Sequence, residues 1–131
     1  MKLDTPDIQL KLFLWLIAAH SFFVGVGLML FPPSYLDFFG FADYTYCFFQ
    51  AQGGVFHIVM CVAYIMAGKY MYKSHELILF SIIAKSMGTI FLIIYFLFME
   101  QVWMIIMSAI GDGFMAFMLF YLYKRFKISI K

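Results

Sequence analysis

Residues 77–123 read LILFSIIAKSMGTIFLIIYFLFMEQVWMIIMSAIGDGFMAFMLFYLY, two long apolar runs separated only by Met99, Glu100 and Gln101. A helix needs about 20 apolar residues to cross roughly 30 Å of hydrocarbon, and the runs 77–98 and 102–123 both reach that length. So short a connection forces the two helices to be antiparallel neighbours. The same reading carried toward the N-terminus finds two further spans, 12–31 and 46–68. The expected fold is all-α, a four-transmembrane-helix antiparallel bundle forming a single integral membrane domain over 1–131.

The overall composition demands the same solution. Hydrophobic residues make up 66% of the chain and charged residues 12%, with 18 Phe and 11 Met, whereas a soluble domain carries roughly twice that charge. With mean hydropathy at +0.95, a water-soluble core of this size would leave too much apolar surface exposed. Intrinsic disorder and an ordinary cytosolic enzyme are excluded. The formal net charge is +2 and no dense basic tract tracks a phosphate backbone, so nucleic acid is not an expected partner.

The first span is expected to remain in the mature protein. MKLDTPDIQLK ahead of it carries Asp4 and Asp7, the run is of full span length, and no A-x-A-like site follows. Between the first two spans, FPPSYLDFFGFADYTY (31–46) contains Pro32, Pro33 and Gly40, many aromatic rings, and no lysine or arginine. It reads as a loop lying in the interface with its Tyr and Phe rings at headgroup level.

Four spans put both termini on one side. Lys2, Lys11, Lys69, Lys73, Lys124, Arg125, Lys127 and Lys131 then lie together, while the opposite loops carry only Asp37, Asp43 and Glu100. The lysine and arginine bias makes that side the cytoplasm, which gives a multi-pass protein of the cell inner membrane with both termini cytoplasmic. So complete a bias also argues against a protein that inserts both ways round.

Four ionisable residues fall inside spans: His20, His57, Lys85 and Asp112. Lys and Asp there cost roughly 2.5–3.5 kcal/mol each on insertion scales, so each should face the bundle interior with a partner. Counted from the cytoplasmic ends, all four lie roughly 12–17 Å from that boundary, in one layer near the midplane. Folding the hairpin about residue 100 sets Lys85 opposite position 115, one turn from Asp112. The pair reads either as an ion pair that fixes helix register or as a proton or ligand site, with His20 and His57 beside it.

Small and polar residues form matching stripes. They are Gln50, Gly53 or Gly54, His57, Cys61, Tyr64 and Gly68 on the second span, Ser81, Lys85, Gly88 and Thr89 on the third, and Ser108, Gly111, Asp112 and Ala116 on the fourth. On the first span Ser21, Gly25 and Gly27 accompany His20. Such faces pack against protein, with glycines allowing close backbone approach.

Two histidines at matched depth on adjacent antiparallel helices form the arrangement that ligates a haem or another tetrapyrrole axially, so His20 and His57 are the candidate cofactor ligands. Zinc would need Cys, His or carboxylate groups clustered within one turn, and the four residues are scattered. Cys47 and Cys61 stand on one span about 21 Å apart along a helix, too far to bond, and read as small packing residues. The phosphate-cradling glycine motifs, HExxH and nucleophile elbows of soluble enzymes are absent from the sequence. Methionine reads as adaptable packing material.

The order of these features resembles that of the small four-helix DoxX-like membrane proteins. The residues that carry the likeness are Gly25 and Gly27, then LFPPSYLDFFGF, then Gln52, Gly53 and Gly54 opening the second span, then IIAKSMG, then GDGF. It covers most of the chain, with Gln52 standing where an acidic or basic residue often precedes the glycines. The group takes its name from a small subunit of a membrane quinone-reducing oxidoreductase. The resemblance implies a four-helix fold and an accessory role near redox complexes.

The expected function is therefore a small non-catalytic inner-membrane accessory subunit of a larger membrane complex, in contact with the lipid bilayer and other membrane protein subunits. The alternative is a cofactor- or quinone-binding redox subunit in which His20 and His57 bind while Lys85 with Asp112 moves protons. A small oligomeric transporter fits less well, because the first two spans contain no acidic residue to bind a cation.

Overall fold

The computed structural model describes residues 5–41 and 47–130. Five helices follow in order: α1 (Pro6–Leu30), α2 (Pro33–Phe38), α3 (Cys47–Lys69), α4 (His75–Phe98) and α5 (Trp103–Ser129). The four long ones are each apolar enough over a full span length to cross a membrane. α1 packs most extensively on α3, and α4 on α5. Thinner seams between α1 and α5 and between α3 and α4 close the ring, so the molecule is two tight hairpins laid side by side.

Helix boundaries follow local chemistry rather than hydropathy. Pro6 occupies the first turn of α1, where its missing N–H is no loss. Phe31 ends that helix in extended backbone, φ −72° and ψ 129°, because the residue before a proline is pushed out of the helical region. α1 thus begins before residue 12 and α5 continues past 123. A charged end residue stops a hydropathy window but not a helix, which can run out of the apolar layer into water.

The 32–45 connection departs from a plain loop. Pro33 starts the short helix α2, and Gly40 ends it with φ +92°. A Cβ on Gly40 would lie 3.1 Å from Val102 Cγ1 and 3.3 Å from Trp103 Cδ1. Only glycine both takes this backbone angle and fits against the start of α5. Residues 42–46 of the connection lie outside the described residues, as do Lys2, Asp4 and Lys131.

The core is lopsided. Leu10, Leu14 and Ile17 of α1, Tyr64 and Ala67 of α3, Ile78 of α4, and Leu119 and Phe126 of α5 form one buried cluster at the end that carries the termini and the α3–α4 turn. Toward the other end the hairpins touch less, and α1 and α3 meet there through glycine. A Cβ on Gly25 would stand 2.8 Å from the Gly54 carbonyl oxygen, and one on Gly54 would stand 2.7 Å from that of Gly25. The backbones are in direct contact, the close approach that drives helix association where lipid removes any hydrophobic preference for protein.

Candidate functional site

Lys85 sits mid-way along α4 and Asp112 mid-way along α5, and the short α4–α5 turn sets them side by side. Lys85 Nζ donates to Asp112 Oδ1 at 2.6 Å. It is the one salt bridge among the described residues. The lysine side chain is 4% exposed and the aspartate 19%. Gly88 makes room for the carboxylate, since a Cβ there would come within 3.1 Å of Asp112 Oδ2. Lys85 Nζ also lies 5.8 Å from the centre of the Tyr64 ring on α3, close enough for a cation–π attraction that ties the second hairpin to the first.

The hydroxyls of the α4 stripe do not join the site. Ser81 Oγ donates to the Leu77 carbonyl at 2.8 Å, and Thr89 Oγ1 to the Lys85 carbonyl at 2.9 Å. Both satisfy themselves against their own helix, the usual resort of a hydroxyl with no better acceptor. On α5, Ala109 is buried and Ser108 exposed, so alanine rather than the expected serine takes the inward position.

The two in-span histidines differ. His57 is partly buried, whereas His20 is exposed on the outside of the bundle. The expectation that all four residues point into one interior volume therefore holds for Lys85, Asp112 and in part His57, but not for His20. The reason is angular. Ile17, Ala18, Ser21 and Gly25 hold the buried face of α1, and His20 is turned about 100° from Ser21. Ser21 is 1% exposed, and its Oγ has no hydrogen-bond partner among the described residues.

At the histidine level a groove of about 490 Å³ opens between α1 and α3, walled by Ala18, Ala19, Phe22, Cys61 and Ile65, but neither His20 nor His57 lines it, and the helices are in close contact on both sides of that level. Gly25 meets Gly54 beyond it, and a Cβ on Gly68 would meet Leu14 Cβ at 3.6 Å and Trp15 Nε1 at 2.8 Å before it. A flat macrocycle ligated by His20 and His57 would have to part these helices. Among the described residues no group of three or more His, Cys, Asp or Glu is placed to hold a metal. Cys61 is a buried free thiol, and the Cys47 side chain lies outside the described residues.

A second polar cluster, at the end bearing the termini, escaped the sequence reading. The Tyr72 hydroxyl donates to Asp7 Oδ2 at 2.9 Å, linking the α3–α4 turn to α1. That bond, which ionisation would destroy, holds the Tyr72 pKa above its ordinary value. The His75 ring stands 6.0 Å from Tyr123 and 6.1 Å from Phe126. These residues lie in short connections and first turns, where neither periodicity nor hydropathy singles out a partner.

Four span-length apolar helices in a closed ring are the make-up of a multi-pass membrane protein. No protein-family model, curated protein or solved structure matches the chain.

Proposed function

We propose that this chain is a small non-catalytic accessory subunit of a larger membrane complex, with both termini in the cytoplasm and its spans in the inner membrane. The observation that carries this reading is the Lys85–Asp112 contact. The two charged side chains inside the bundle are paired with each other, an arrangement that suits a structural role, holding α4 and α5 in register. Outward, α4 presents Ile83, Met87, Ile90, Phe91, Ile94 and Leu97, and it is the span least covered by its own chain. Such a surface suits lipid and the helices of a neighbouring subunit alike. The likeness to small DoxX-like proteins points the same way, toward an accessory place beside redox enzymes.

Purification in mild detergent tests the reading, with a stoichiometric membrane partner expected. A preparation that stays strictly monomeric and partner-free in native-like lipid would overturn it. The second reading, a cofactor- or quinone-handling redox subunit, draws on the partly buried His57 and on the buried Ser21 hydroxyl, which has no partner among the described residues. Visible absorbance in the purified protein would favour it. So would a Lys85/Asp112 double variant that folds but abolishes the activity of its complex.

A further inference from the structure

Between α1 and α5 runs a groove of about 630 Å³, open to the outside of the bundle. Its walls are Leu12, Phe13 and Leu16 on α1 and Met118, Tyr121 and Leu122 on α5, and Gln9 and Arg125 stand at its end. From Gln9 to Leu16 on one wall and from Arg125 to Met118 on the other, it is about 10 Å long and runs parallel to the helices. One end, on the side of the bundle that bears the termini, is therefore cationic, and the rest is apolar.

The cationic end is held in place. An Arg125 Nη1–H donates to Gln9 Oε1 at 3.1 Å, and the guanidinium lies 5.9 Å from the centre of the Tyr121 ring. Among the described residues no carboxylate pairs with Arg125, since Lys85–Asp112 is the only salt bridge there. A guanidinium has five N–H donors in a fixed fork, and among the described residues only Gln9 takes one of them. The neighbouring cation Lys124 does not share the site, because its Nζ sits over Phe120, 4.7 Å from the ring centre.

We propose that this groove binds one anionic phospholipid, with an acyl chain lying between α1 and α5 and the headgroup phosphate on Arg125. The groove needs an anion joined to a long aliphatic chain, with the two parts at these relative depths. A phosphodiester lipid has that make-up, and basic pockets between transmembrane helices on the cytoplasmic side recognise such headgroups. Charge-assisted bonds to the planar guanidinium fix the phosphate. The site rests on the membrane-spanning reading of the four long helices.

The test uses the full chain solubilised in detergent, with retained lipid measured by native mass spectrometry after incubation with phosphatidylglycerol or phosphatidylcholine. One phosphatidylglycerol per chain is expected for the wild type and for Lys124→Gln. Arg125→Gln should lower that retention about tenfold or more. Leu16→Trp, which fills the apolar end and leaves the charge alone, should lower it as well, so the site remains testable if Arg125→Gln fails to fold. Excess inorganic phosphate should leave the bound lipid in place. Equal retention by Arg125→Gln, equal loss in Lys124→Gln, equal binding of phosphatidylcholine, or displacement by inorganic phosphate would each overturn the site. A chain that leaves membranes without detergent would instead defeat the membrane reading itself, a result distinguishable from all of these.

Discussion

Separating Lys85 from Asp112 should cost more than removing both. Removing one partner of a buried pair typically costs about 3–5 kcal/mol, because the remaining charge stays in low dielectric, whereas replacing both is often close to neutral. The structure adds an asymmetry. Lys85 is 4% exposed and Asp112 19%, so a lone lysine is the more deeply stranded charge. Asp112→Asn should reach the upper part of that range and Lys85→Met the lower part. Lys85→Met/Asp112→Asn should cost only about 1–2 kcal/mol, mainly for the partly buried amide left behind. Equilibrium unfolding of the four proteins by sodium dodecyl sulfate in mixed micelles measures the cycle. A double variant as destabilised as the sum of the singles would refute a direct interaction.

Further outcomes follow from other parts of the molecule. Gly54→Ala places a methyl 2.7 Å from the Gly25 carbonyl oxygen and should destabilise by about 1–3 kcal/mol. Gly111→Ala meets nothing within 4 Å and should be neutral or stabilising by up to about 1 kcal/mol; the same unfolding assay reads both. The Tyr72–Asp7 bond raises the folded-state Tyr72 pKa, so its contribution is fully present below the unfolded tyrosine value and is lost as pH rises through the folded one. Wild type and Tyr72→Phe should therefore differ in melting temperature at neutral pH and converge in the alkaline range above pH about 10. Reporter fusions should place the C-terminus in the cytoplasm and the 32–45 connection outside, and an exported C-terminus would defeat the charge argument.

The fold was legible because membrane spans are long and their signal is cumulative. Every break between apolar runs in the sequence corresponds to a break between long helices. The α3 stripe was legible for a related reason: Gln50, Gly54, Cys61, Tyr64 and Gly68 recur at helical spacing, and all five are buried. The Lys85–Asp112 contact could be derived because a four-residue connection, 99–102, leaves the hairpin almost no freedom of register. His20 was misread because depth constrains position along the bundle axis but not rotation about a helix. Ser108 failed for the same reason, as a stripe of small residues leaves one helical position ambiguous. The Tyr72–Asp7 link was invisible because its two ends are 65 residues apart and neither lies in a periodic segment.

The ion pair also bears on how the chain enters the membrane. Lys85 precedes Asp112 by 27 residues, so during synthesis the lysine reaches the membrane before its counter-charge does. For that interval α4 must tolerate an unneutralised ammonium at a cost of roughly 2.5–3.5 kcal/mol, which its Leu, Ile and Phe residues offset at about 0.3–0.6 kcal/mol each. Its mean hydropathy of 2.3 is the highest of the four spans. The surplus grease on α4 is thus matched to a delay, carrying the helix into lipid until α5 arrives to neutralise it. A nascent chain halted once the α4–α5 turn has left the ribosome would already be threaded three times through the bilayer, with one lysine still waiting for its partner.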